Sequence, residues 1–273
     1  MKRLVNLYPS RPAGLALGLL PFALALVVYA AASAARLAEN PNDPILPALM
    51  TLAESFQRLA TEESRRTGEV LLWVDTSASL TRLGLGVAIS AAMGLLVGVL
   101  TGLIPYVRRG FGPFVAVVSM IPPLAVLPIL FIAFGVGELA KVMLIIFGIA
   151  PFIMRDLQQR VEELPREQLI KAQTLGASTW QIILRVVLPQ ILPRLLDATR
   201  LALGSAWLFL IASEAIAATE GLGYRIFLVR RYLDMEVILP YVAWITLLAF
   251  TLDLALRLLS RVCFPWYAGR RAN

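Results

Sequence analysis

The chain has 273 residues, 59% of them hydrophobic, and a net charge of +7. Its mean hydropathy of +0.76 and its apolar share exceed those of soluble domains, about 45–50% apolar, so a bilayer is the expected solvent. The absence of histidine excludes an imidazole metal site or proton relay, and a single cysteine, Cys263, excludes a disulfide within the chain.

Six apolar stretches approach the ~20 residues that a spanning helix requires. They cover roughly 15–35, 78–104, 114–134, 139–153, 195–218 and 237–259. Ala32-Ser33-Ala34 at the end of the first mimics a signal-peptide cleavage site. That run is longer than the 7–15 residues of such a peptide, so a retained helix is expected. Residues 36–77 follow as an external segment, with an extended turn at Asn40-Pro41-Asn42-Asp43-Pro44. Leu49, Leu52, Ala53, Phe56, Leu59 and Ala60 then recur at helical spacing, which predicts an outer amphipathic helix. It could cover the bundle or dock a partner. Asp75, Thr76 or Ser77 could cap the second span.

The second span places Gly86, Ser90, Gly94, Gly98 and Gly102 four apart on one stripe. Small stripes let helices approach closely in lipid, either within the chain or as a dimer seam. The third contains Met120-Ile121-Pro122-Pro123-Leu124-Ala125-Val126-Leu127-Pro128. Pro123 and Pro128 remove backbone donors, so a broken helix beside a cavity, or a packed kink, is expected. After the fourth span, Lys171–Pro189 reads as a polar elbow at a membrane surface. Gly176 can break a helix. Trp180, Ile183, Leu184, Val187 and Leu188 are expected to share one stripe, and Pro189 to end or kink the run.

Charges within spans are costly and call for partners. Arg82 and Glu214 sit at similar depth near the outer ends of spans two and five, so they are expected to pair, for structure or as part of a gate. Asp253 and Arg257 form an i, i+4 pair on span six. Gly221 and Gly223 allow a tight turn or re-entrant dip outside span five. Arg225, Arg230 and Arg231 follow; they could attract an anion, a binding-protein surface or lipid headgroups.

With the N-terminus inside, the inner segments carry fifteen cations: Lys2, Arg3, Arg11, Arg108, Arg109, Arg155, Arg160, Arg166, Lys171, Arg185, Arg194, Arg257, Arg261, Arg270 and Arg271. The outer segments carry eight: Arg36, Arg58, Arg65, Arg66, Lys141, Arg225, Arg230 and Arg231. This bias predicts both termini inside and accounts for the charge without nucleic acid. No Gly-x-x-x-x-Gly-Lys-Ser/Thr phosphate loop and no Ser-His-Asp set occurs. No catalytic residue, metal or bound cofactor is expected.

The elbow resembles the cytoplasmic coupling loop of inner-membrane permeases of binding-protein-dependent ABC importers. That pattern is Glu-Ala-Ala, three residues, Gly, nine residues, Ile, one residue, Leu-Pro. Here Ile170, Lys171 and Ala172 stand at Glu-Ala-Ala, Gly176 at the glycine, Val186 at the isoleucine, and Leu188-Pro189 at the end. Ile121-Pro122-Pro123-Leu124-Ala125, Phe134-Gly135-Val136-Gly137-Glu138, Ala202-Leu203-Gly204-Ser205-Ala206-Trp207 with Glu214, and Gly221-Leu222-Gly223-Tyr224 resemble the nitrate, sulfonate, taurine and bicarbonate branch.

The resemblance implies an all-α membrane protein of six transmembrane helices with a cytoplasmic coupling helix. Its parts would be an N-terminal helix and external segment (1–77), a permease core (78–262) with the coupling loop at about 157–194, and a basic tail (263–273). It implies residence in a bacterial inner membrane and a homodimer. The implied partners are two cytoplasmic ATP-binding subunits, which use the ATP and magnesium, and an extracytoplasmic binding protein that delivers a small anionic solute. Lys171, Ala172, Leu175, Gly176, Ala177, Trp180, Leu188 and Pro189 would couple to the ATPase. Met120, Pro122, Pro123, Glu214, Gly221 and Gly223 would line or gate the pathway. A secondary transporter driven by an ion gradient is the alternative, and a membrane enzyme or structural protein a further one.

Overall fold

The computed structural model describes residues 9–41, 43–64 and 67–269. Of the cations counted above, Lys2, Arg3, Arg65, Arg66, Arg270 and Arg271 lie outside the described residues, and of Arg11 only the backbone is described. Among the described residues all regular structure is helical. The elements are α1 (Arg11–Glu39), α2 (Leu49–Thr61), α3 (Leu71–Leu103), α4 (Pro105–Val118), α5 (Pro123–Phe134) and α6 (Glu138–Glu162). Then follow α7 (Arg166–Thr174), α8 (Thr179–Ile182), a π-helical turn (Ile183–Val187), α9 (Leu188–Ala217), α10 (Leu222–Arg230), α11 (Met235–Cys263) and α12 (Pro265–Gly269).

Among the described residues four stretches are long and apolar enough to cross a bilayer: α1, α3, the continuous run from α8 through α9, and α11. The pair α4 and α5, bent by 95°, makes a fifth. The third expected span is therefore two helices. The break falls at residues 119–122, and Pro123 sits at the first position of α5, where no backbone donor is needed. Only Pro128 lies inside a helix.

The glycine stripe of α3 faces α6. A Cβ added at Gly86, Gly94, Gly98 or Gly102 would come within 2.4–2.7 Å of Ile145, Ile153, Leu157 or Val161. Each partner lies 59 residues further along the chain, so the two helices run parallel in one fixed register. The stripe is buried within the chain, which corrects the alternative of a dimer seam. A parallel pair also obliges α4 and α5 to carry the chain back between its two ends, and Arg108 at the start of α4 meets Glu162 at the end of α6 at 3.2 Å. Gly98→Ala is expected to cost about 1–3 kcal/mol through overpacking, because Met154 O would lie 3.0 Å from the new methyl and cannot rotate away. Gly84→Ala, with open space around its Cα, is expected to stay within about 0.5 kcal/mol. Thermal unfolding of the purified variants checks both.

Helix α9 runs antiparallel to this pair: Gly148 abuts Phe209 and Arg82 reaches Glu214. Helix α11 returns alongside, through Arg200–Asp253 at one end and Tyr241–Asp75 at the other, called the inner and outer ends after the orientation that the charge bias predicts. The common core holds Leu72, Leu144, Ile145, Ile149, Ile153, Leu157, Ile191 and Leu210, all at 0–1% exposure. Ile211, Trp244 and Leu252 pack against it.

Helix α2 covers the outer end of the bundle. Phe56 packs on Trp244 with ring centroids 5.8 Å apart, Trp73 meets Trp244 edge-on, and the Trp73 indole donates to Ala60 O. This favours the covering role for its apolar face. Helix α1 stands apart, with none of its apolar window buried. It is tied to the segment after it, where Tyr29 and Ser33 donate to the carbonyls of Pro47 and Leu46. Arg36 pairs with Asp43 and holds that carboxyl below the usual carboxylate range.

Helix α3 begins at Leu71 with Val70 as its cap residue. Asp75, Thr76 and Ser77 therefore lie one turn inside it and cap nothing. Asp75 has other work.

Candidate functional site

The outer end of the bundle holds a buried ionic network built on one face of α3. Asp75, Ser79 and Arg82, at i, i+4 and i+7, project between α6, α9 and α10. All three are 0–2% exposed. Arg82 Nη1 donates to Glu214 Oε1 at 2.8 Å and to Glu220 O at 2.9 Å. Its Nε and Nη2 grip the carboxylate of Glu138, the first residue of α6, which also accepts from Lys141 Nζ at 2.7 Å. Glu214, at 0% exposure, accepts further from Ser79 Oγ at 2.7 Å and from the backbone N–H of Gly223 at 2.9 Å. Asp75 accepts from the N–H of Gly221 at 2.8 Å, from Arg225 Nε at 2.8 Å and from the Tyr241 hydroxyl at 2.9 Å.

The loop before α10 is the focus of these bonds. Three successive backbone donors, Gly221, Leu222 and Gly223, each find a different buried acceptor: Asp75, Ser79 and Glu214. The positive end of a helix favours such acceptors. Gly221 has φ +126°, and a Cβ there would fall 2.6 Å from Glu214 Cδ. At Gly223 a Cβ would fall 2.7 Å from Ile211 O. Glycine is required at both positions, in a tight turn laid onto the carboxylates. Buried Glu214 and Asp75 pair with Arg82 and Arg225, while the exposed carboxylates of Glu138 and Glu220 reach Arg82 from the rim and Glu138 also takes Lys141. Desolvated pairs of this kind hold only when fully bonded, and breaking one by removing a partner costs about 3–5 kcal/mol.

Arg82 and Glu214 thus meet as a pair. Asp75, Ser79, Glu138, Lys141 and Tyr241 are members that sequence reasoning missed, although the polar i, i+4, i+7 face of Asp75, Ser79 and Arg82 in an apolar helix was the available signal. Arg225 is committed to Asp75, which removes it from the expected trio of outward cations. Arg230 and Arg231 are exposed and stack on Phe227 and Tyr232. At the other end of the bundle Asp253 is more than a helix-surface partner of Arg257. It also accepts both Nε and Nη2 of Arg200, tying α11 to α9.

The elbow lies at the inner end. Helix α7 stops in a Schellman motif: Gly176 N–H donates to Gln173 O and Ala177 N–H to Ala172 O, with Gly176 at φ +80°. Ser178 then opens α8 with a capping box, its Oγ accepting from Gln181 N–H and its N–H donating to Gln181 Oε1. Two local motifs therefore fix the corner. Leu175 (79% exposed) and Trp180 (66%) are presented outward, as are Ile170 and Leu184. Lys171 is exposed, while Ala172 and Ala177 rest on the core.

The expected single stripe is split. Ile183 and Val187 face the core, while Trp180 and Leu184 face away. Nor does Pro189 end the run. The π-helical turn lets Leu188 N–H bond Ile183 O, so Pro189 enters at the first turn of α9 and the helix continues from Thr179 to Ala217 for 39 residues.

The remaining pathway candidates lie elsewhere. Met120 and Pro122 are exposed in the break between α4 and α5, and Pro123 is half-buried beside it. Ser119 bonds Arg155 there, which puts the break about 20 Å along the α3–α6 axis from Arg82. The structure does not bring these three residues to Glu214, Gly221 and Gly223. Of the three only Pro123, with its neighbours Ser119 and Ile121, borders a separate cavity of about 770 Å³ between α4, α5 and the inner half of α6.

Residues 90–267 match the family model of the binding-protein-dependent transport system inner membrane component. The chain is 40% identical over 200 residues to the taurine transport system permease protein TauC of Escherichia coli (strain K12), covering 73% of this chain and 72% of that one. It is 28% identical over 222 residues to the aliphatic sulfonates transport permease protein SsuC of Bacillus subtilis (strain 168), covering 81% and 78%. The fold matches a chain of the inward-facing MetNI methionine ABC transporter with a TM-score of 0.63, 24% identity, and coverage of 73% of this chain and 98% of that one.

Proposed function

Because the chain belongs to the binding-protein-dependent transport system inner membrane components, we propose that its inner elbow and outer network are the driven and closing ends of one transport machine. The chain is the permease component of an ABC importer and not itself an enzyme. The ion-gradient alternative finds no support in its fold or its relatives. An ATP-binding subunit and a substrate-binding protein are its partners in transport.

In this reading the spans number six: α1, α3, the α4–α5 pair, α6, α9 and α11, with both termini cytoplasmic. Two copies of the chain enclose the pathway and two ATPase subunits, which bind ATP and magnesium, dock beneath. The cargo is a small organic oxyanion, as the taurine and sulfonate names of its relatives suggest. Closure of the ATPases pushes the elbow. The 39-residue run from Thr179 carries that push to Glu214 and the Gly221–Gly223 loop at the far end. The machine needs two arrangements biased by nucleotide. Hydrogen bonds from the loop to Asp75, Ser79 and Glu214 define the closed outer arrangement.

The observation that carries this is the elbow itself: an outward-facing Leu175–Trp180 patch on a corner rigidified by its own caps. An exposed tryptophan of this kind is the typical anchor of a docking surface. Trp180→Ala is expected to weaken ATPase binding at least about 30-fold, as for a loss of ~2 kcal/mol, while leaving the permease folded. Titration of the ATPase subunit against the permease in nanodiscs measures it. Undiminished binding would place the motor contact elsewhere.

A further inference from the structure

The cavity of about 770 Å³ between α4, α5 and α6 has the size of a small-molecule site. Its upper wall is Phe147, Pro151 and Phe152, and its lower rim is polar. Two cations and two acids line it, but three of the four are committed. Arg108 pairs with Glu162 at 3.2 Å and donates to Thr101 O. Asp156 lies 3.6 Å from Arg160. Arg155 is the remaining charge. Among the described residues it has one polar partner, Ser119 Oγ at 2.9 Å, and no carboxylate.

Arg155 stands about 10 Å inside the α6 terminus, at 1.5 Å per residue. Its guanidinium is exposed and lacks a carboxylate partner among the described residues, so an anion in the cavity can reach it. Its fork can take an oxyanion bidentately, and the Ser119 hydroxyl, which accepts from Arg155 and donates to Ala116 O at 2.8 Å, can add a third donor by rotating off that carbonyl. Ser119 sits on the break between α4 and α5, so an anion bound here would touch the one joint in that span. We infer that Arg155 and Ser119 form an oxyanion subsite on the inner half of the pathway, which takes the acid group of the cargo on its way to the cytoplasm. This rests on the anionic-cargo reading above.

The test uses the permease–ATPase complex in nanodiscs of phosphatidylcholine, with ethanesulfonate as the probe. Ethanesulfonate is expected to raise the unfolding midpoint saturably, as a ligand of the folded state must, and neutral ethanesulfonamide is not. Arg155→Gln is expected to raise the half-saturating concentration at least about tenfold. Arg155→Lys should fall between, since an ammonium attracts an anion without the bidentate fork. Equal titrations for wild type and either variant overturn the subsite, as does an equal response to ethanesulfonamide. A response to added phosphatidylglycerol but not to ethanesulfonate assigns the cation to a lipid headgroup and overturns the cargo role. A binding protein that takes only neutral solutes sinks the cargo reading, whereas equal titrations sink the site alone.

Discussion

Arg82→Gln is expected to be the most damaging single substitution in the chain. It removes the cation shared by Glu214 and Glu138 and leaves Glu214, at 0% exposure, with a charge that Ser79 and one backbone N–H cannot balance. A broken buried pair costs about 3–5 kcal/mol, a large share of the stability of an ordinary domain. The variant is expected to aggregate on extraction or unfold at a much lower temperature. Arg82→Gln combined with Glu214→Gln restores neutral hydrogen bonding and should recover most of the midpoint. Transport should not recover with it, because the Gly223 N–H would no longer be held by a carboxylate. Uptake into proteoliposomes, measured beside thermal unfolding, separates the two. Wild-type uptake by the double variant would confine the pair to holding the fold.

Gly176→Leu is expected to leave the bundle folded and to uncouple it from the motor. A Cβ there meets nothing within 4 Å, so no clash is involved. The penalty is conformational: φ +80° costs a non-glycine residue about 1–2 kcal/mol. Relief requires abandoning the Schellman motif, which swings α7 relative to α8 and breaks up the Leu175–Trp180 patch. Coupling should fall about tenfold or more, because 1.4 kcal/mol is a factor of ten. Gly176→Asn, whose side chain tolerates the left-handed region, should lose less. Cargo-stimulated ATP hydrolysis by the assembled importer is the measurement. Full stimulation with leucine would remove the elbow from the coupling path.

Much of the fold was legible in the sequence because lipid imposes a simple rule. Long apolar runs must become helices, and the four-residue glycine stripe of α3 can only mark a close crossing. The elbow was legible for the opposite reason: its glycine and caps act within a few residues of one another. What failed was any reading that needed long-range partners. Asp75 looks like a helix cap until Gly221, Arg225 and Tyr241, some 150 residues away, converge on it. Pro189 reads as a stop because local rules cannot foresee that a π-helical turn will absorb its missing donor. Trp180 and Ile183 share an ordinary helical stripe, and only the packed bundle decides that Ile183 faces the core and Trp180 away from it. The break beside Pro123 is legible in the proline pair; what local rules do not show is that Pro123 opens a helix while Pro128 lies inside one, because the two look alike without the turn that precedes them.

The register between α3 and α6 limits how the molecule can move. Ile145, Ile153, Leu157 and Val161 sit like pegs in the hollows left by Gly86, Gly94, Gly98 and Gly102. Neither sliding nor twisting of one stave against the other is available without driving methyl groups into backbone. In the proposed transport cycle the two staves therefore swing together, which leaves the flexing between the mouths to the unwound step at 119–122 and the widened turn at 183–187.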